Sequence, residues 1–155
     1  PAGVAAGFLL QEEGDPVTEH LVGESVMGGQ EEAECGEDGH DDLKVWQRSH
    51  ALVLEVYRRT ASFPEGERFG LISQLRRAGV SVPTNIAEGS KRQTSHDYAR
   101  FLNIAEGSLA EVEYLLLLSR DLGYLPQEAH KPMQAEVEEI ARMLYALRMK
   151  VEAGS

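Results

Sequence analysis

"LRRAGVSVPTNIAEGSKR", residues 75–92, decides the fold. Two glycines and an interior proline argue against a helix here, because glycine costs a helix about 1 kcal/mol and proline about 3. The spacing argues for one. Ile72, Leu75, Gly79, Val82, Ile86 and Gly89 recur at alternating intervals of three and four, the period of a helix packed along a seam. Pro83 removes the hydrogen bond its amide gives the Gly79 carbonyl, so the helix is expected to kink there, with Ser81 or Thr84 serving the freed group.

The same period extends in both directions. Upstream, Leu43, Trp46, His50, Val53 and Tyr57 form a first seam, capped by Asp41 or Asp42 and ending before "FPEGE" at 63–67. Downstream, a third helix follows Tyr98, Phe101, Ala105, Ser108, Val112, Leu115, Ser119 and Leu122, with Thr94 and Asp97 as a capping box. A fourth begins near Pro126 and follows Met133, Val137, Ile140, Leu144, Leu147 and Val151. Four helices joined by short turns predict an all-α, antiparallel, up-down-up-down four-helix bundle over residues 42–152.

Residues 1–41 read differently. The formal charge of −11 over 155 residues is uneven: residues 1–42 hold twelve acids and no Lys or Arg, leaving 14 acids against 15 bases beyond them. This glycine-rich leader has no sustained period and is expected to be a disordered acidic tail. Its apolar run Val4–Leu10 lacks the basic flank of a secretory signal and is too short to span a membrane, so a soluble, cytoplasmic protein is expected. The sequence opens on Pro1, which suggests a trimmed or extended start with Met27 as an alternative. A lone cysteine, Cys35, agrees with a reducing compartment.

Two features bear on assembly. "NIAEGS" occurs at 85–90 and again at 103–108. Similar local packing explains the repeat simply; the sharper reading has Asn85, Glu88, Asn103 and Glu106 making polar contacts between helices or subunits, although Glu88 also stands four residues before Arg92 and fits an ordinary surface ion pair. Gly79 is expected to face Gly107 across the second and third helices, allowing close backbone approach. The third helix also carries an extra apolar row, Leu102, Leu109 and Leu116, more than one inward face needs. That row marks a subunit interface or a helix deeply buried by its neighbours.

These words resemble a family. "DLKVWQ" at 42–47, the segment 63–92 that contains the opening stretch, and "FLNIAEGSLAEVEYLLLL" at 101–118 are similar to the small four-helix-bundle proteins encoded in intervening sequences of bacterial large-subunit rRNA genes. More distantly, the pattern is similar to the accessory proteins of diversity-generating retroelements, five-subunit barrels that engage a reverse transcriptase and nucleic acid. The resemblance implies a homopentamer.

One end of such a bundle collects Lys44, Arg48, Lys91, Arg92, Arg100, Arg148 and Lys150, a candidate phosphate-binding set, with Arg76 and Arg77 as a secondary pair or merely solvated arginines. The tail attaches just before Lys44 and is expected either to shield that end or simply to solubilise the chain. Enzymatic readings find no support: the one Glu-x-x-His spacing, Glu37 to His40, falls in the tail, and no phosphate-binding glycine loop follows a strand. Neither a cofactor nor a metal site is expected. Two classes remain: a nucleic-acid-associated accessory protein binding RNA or DNA and a polymerase or ribosome-associated partner, and a purely structural interaction scaffold.

Overall fold

A computed structural model describes the backbone from Asp38 to Gly154 and the side chains from Leu43 onward. The expectations for residues 1–37 of the acidic tail, with Met27, Cys35 and Glu37, fall outside these residues, whereas positions 38–41, expected in the tail, open the first helix. The chain forms α1 (Asp38–Thr60), a short 3-10 turn (Glu65–Glu67), α2 (Leu71–Gly89), α3 (Ser95–Asp121) and α4 (Gln127–Ala153), with no strand among the described residues. Each helix packs on its chain neighbours and α1 closes on α4, without a diagonal pair. Neighbouring helices run in opposite directions: Thr60 meets Arg76 where Val53 meets Gly79, and Ser81 meets Ser108 where Gly89 meets Phe101. This is the four-helix bundle that the periodicity predicts.

α1 begins at Asp38, so Asp41 and Asp42 lie within the helix instead of capping it. Its inward stripe is also displaced by one position from the predicted seam. Val45, Ser49, Leu52, Val56 and Thr60 are buried, whereas Leu43, His50 and Tyr57 are exposed. Two hydroxyls conceal the true stripe: Ser49 donates to the Val45 carbonyl at 2.7 Å and Thr60 to the Val56 carbonyl at 2.8 Å, so both enter the core with their polar groups satisfied.

α2 runs unbroken through the buried Pro83. The Thr84 hydroxyl donates to the Val80 carbonyl at 2.8 Å and Ser81 pairs with Ser108, so neither serves the Gly79 carbonyl as expected. Gly79 does not face Gly107 either. A Cβ at Gly79 would meet Val53 of α1 at 3.9 Å, while Gly107 opens on empty space. The close approach of α2 and α3 occurs at Gly89, where a Cβ would fall 2.9 Å from both Phe101 Cβ and Tyr98 Cδ2.

The predicted cap of α3 is present, with the Asp97 amide donating to Thr94 Oγ1 at 3.1 Å. Its other end closes at Gly123, whose φ of +80° suits glycine. The amides of Gly123 and Tyr124 return to the Arg120 and Ser119 carbonyls, both at 2.9 Å, forming a Schellman ending. Leu102, Leu109 and Leu116 are at most 1% exposed, so the extra row of α3 belongs to the bundle's own core and not to a subunit interface. No helix among the described residues is long and apolar enough to cross a membrane.

Candidate functional site

The predicted first seam turns partly outward, Val53 staying buried and Trp46 half-buried, and builds a surface. Trp46 and His50 stack face to face, ring centroids 5.4 Å apart at 8°. With Val53, Leu54 and Tyr57 they form one wall of an open furrow whose other wall is Val80, Pro83 and Ala87 of α2. His50 is therefore not the packed histidine the seam suggested. The furrow continues toward the start of α2, past Arg76, Arg77 and Phe69, which is 89% exposed. Three large apolar side chains of α3 are also exposed, Ile104, Tyr114 and Leu117 at 44%, 60% and 38%, spread around its outer side. The sequence does show surplus apolar surface on α3, then, but on different residues from the predicted row.

Two of the seven side chains of the predicted basic end, Arg48 and Arg148, are held in close internal ion pairs. Arg48 makes a two-pronged contact with Glu136 of α4, at 2.9 and 2.8 Å, and these hydrogen bonds hold its pKa above the ordinary arginine value. Arg148 bonds Glu106 and Glu152, each at 2.9 Å; the Glu152 contact leads in raising its pKa, against the opposing effect of burial. Arg92 and Arg100 lie over the Phe101 ring, at 4.4 and 5.5 Å from its centroid, and Arg100 stands 4.0 Å from Asp97. No Glu88–Arg92 ion pair forms among the described residues. Lys44, Lys91 and Lys150 are exposed.

The secondary pair divides. Arg76 donates to Thr60 Oγ1 at 2.9 Å and to the Tyr57 carbonyl at 3.5 Å, and lies 4.4 Å from the Tyr57 ring centroid. Arg77 is exposed and also lines a smaller polar cleft with Ser81, Ser108 and Glu111.

The two copies of "NIAEGS" do different work. Asn85 donates to the Ser81 carbonyl and hydroxyl, joining the Ser81–Ser108 contact that ties α2 to α3. Glu106 ties α3 to α4. Their counterparts Asn103 and Glu88 are exposed. The reading of polar contacts between helices holds directly for Glu106, whereas Asn85 bonds within α2 and reaches α3 only through Ser81.

One buried group was missed. His130 is 2% exposed, its Nδ1 lacks a protein partner, and it lines a small cavity with Glu113, Leu116, Leu117 and Gln134. Burial foremost, then the charge of Arg120, pushes its pKa below the ordinary histidine value, while Asp121 opposes. Its signal lay in the spacing, since the α4 seam of Met133, Val137 and Ile140 extended back by three residues reaches position 130.

Comparison with known proteins agrees with this architecture. A crystal structure of a protein of unknown function from the S23 ribosomal protein family of Bacteroides thetaiotaomicron is similar, with TM-score 0.65 and 25% identity over 70% of this chain and 98% of that one. No curated protein matches. The model for the 23S rRNA-intervening sequence protein matches residues 41–146. That match takes in all four helices and well over half of the sequence, so the chain belongs to the 23S rRNA-intervening sequence protein family.

Proposed function

We propose that this chain is a non-enzymatic accessory protein that assembles with copies of itself, as a pentamer by the family resemblance, and presents the assembly to RNA or DNA and to a protein partner such as a polymerase or a ribosome-associated protein. The observation that supports self-association is apolar surface left open on two separate parts of one bundle. One part is concave, the α1–α2 furrow from Trp46 to Pro83. The other is the outer side of α3, where Ile104, Tyr114 and Leu117 are exposed. The outer side of α3 from one copy seated in the furrow of the next makes a head-to-tail contact, which closes into a ring where the rotation between copies closes.

The experiment is light scattering on the full chain. A single oligomeric mass is expected, and Leu54→Glu combined with Val80→Glu is expected to yield a folded, helical monomer. A wild-type monomer at tens of micromolar overturns the proposal. The purely structural scaffold is favoured by one observation, the internal pairing of Arg48 and Arg148, which withdraws two of the seven basic side chains from phosphate. Binding to RNA that weakens as salt rises separates the two readings.

A further inference from the structure

The end of the furrow near the start of α2 differs in chemistry from its apolar stretch. There, about 720 Å³ of open space is lined by Tyr57, Arg68, Phe69, Arg76, Arg77 and Thr84 among its ten residues, none of them acidic. Glu111 shares only the separate cleft on the other side of Arg77 and makes no ion pair with it, and two further carboxylates are engaged elsewhere. Glu55 holds Arg58 and Arg59, while Glu67 accepts from the Leu71 amide at 3.1 Å and the Tyr124 hydroxyl at 3.3 Å.

Arg76 is set in place before any ligand arrives. Its bonds to Thr60 and the Tyr57 carbonyl use two of its five donors, and the Tyr57 ring supports the guanidinium plane. The neighbouring Arg77 forms no ion pair with a described carboxylate and is exposed. Phe69 lies in the bend before α2 with its ring almost wholly in solvent, the Arg68 guanidinium 5.4 Å from its centroid.

We infer that this end of the furrow binds single-stranded nucleic acid, with Arg68 and Arg77 at phosphates, Arg76 held between them as a fixed donor, and Phe69 as the platform on which one base stacks. Cationic side chains that follow a backbone, beside an aromatic face open to bases, are what sequence-tolerant single-strand binding requires. A duplex hides its base faces and leaves Phe69 unused. An acidic peptide satisfies the arginines and leaves the ring bare. The inference rests on the proposed nucleic-acid role and moves its site from Lys91, Arg92 and Arg100 to the opposite end of α2.

The test is fluorescence anisotropy on the full chain with a labelled single-stranded RNA of about 12 nucleotides, a length within the range such sites cover, and with its duplex. Single strand is expected to bind more tightly than duplex. Phe69→Ala is expected to weaken binding about tenfold. Arg68→Gln and Arg77→Gln are each expected to reduce the slope of log affinity against log salt by about 0.7. Arg142→Gln, on α4, which does not touch α2, is expected to leave the affinity within about twofold. Circular dichroism and light scattering on the same samples separate a lost contact from lost folding or assembly. Wild-type binding that Phe69→Ala and Arg77→Gln leave unchanged overturns this site while sparing the nucleic-acid role. Displacement of the RNA by polyglutamate that is as strong at Phe69→Ala as at wild type assigns the arginines to an acidic protein and overturns the inference. Failure of the wild-type chain to bind any single strand overturns both.

Discussion

Glu106 and Arg148 meet across α3 and α4 through a 2.9 Å hydrogen bond, with their side chains 21% and 19% exposed. Glu88, at the same place in the other copy of the hexapeptide, is exposed and forms no such pair. Identical words thus acquire different energetic weight from what stands opposite them. A half-buried charged hydrogen bond contributes about 1–3 kcal/mol when one partner's removal strands the other, whereas exposed changes stay within about 0.5 kcal/mol. Glu106→Ala is therefore expected to destabilise the bundle in urea unfolding and Glu88→Ala to leave it nearly unaltered. A double-mutant cycle with Arg148→Ala checks the cause: additivity at Glu106 and Arg148 disproves the coupling.

The glycines of α2 make a second contrast. At Gly79 a methyl group finds Val53 at 3.9 Å, an ordinary contact, and alanine relieves glycine's unfavourable helix propensity. Gly79→Ala is expected to stabilise the chain by up to about 1 kcal/mol. At Gly89 a methyl lands 2.9 Å from Phe101 Cβ, which is anchored directly to the α3 backbone and cannot rotate away. Gly89→Ala is expected to cost about 1–3 kcal/mol, the usual penalty of overpacking. Thermal melts of the two variants shifting in the same direction would contradict this account.

Helix number, the inner faces of α2 and α4 and the α3 cap were legible in the sequence because those stripes consist of apolar or small residues at helical spacing. α1 was misread by one position because it carries two competing stripes. The apolar one, with Trp46 and Tyr57, is outward, and the inward one contains Ser49 and Thr60, whose hydroxyls bond back to their own helix. Single-helix periodicity cannot rank two such faces; only the neighbours' shapes can. The basic end failed for a related reason. Arg48 and Arg148 are recognisable as cations, but their partners Glu136 and Glu106 lie 88 and 42 residues away and become neighbours only through the bundle's register. Phe69 beside Arg68 had no period to belong to, being in a bend.

His130 supplies a pH-dependent prediction with a definite sign. Its imidazole is buried between α3 and α4, with Arg120 repelling a proton, Asp121 partly offsetting that repulsion, and Glu113 and Gln134 lining the adjoining cavity. The folded state therefore binds a proton at this site less readily than the unfolded chain, in which histidine titrates near about 6.5. Where the unfolded state holds more protons, stability rises with pH. The contribution of neutral His130 is thus complete above about pH 6.5 and is progressively lost as the solution is acidified below it. His130→Leu fills a similar volume, removes the unpartnered Nδ1 and abolishes the titration. Urea unfolding at about pH 7.5 and about pH 5.5, on either side of the free histidine value, is expected to show a smaller loss for His130→Leu than for the wild-type chain. Equal acid sensitivity in His130→Leu and wild type would place the pH dependence in the carboxylates instead.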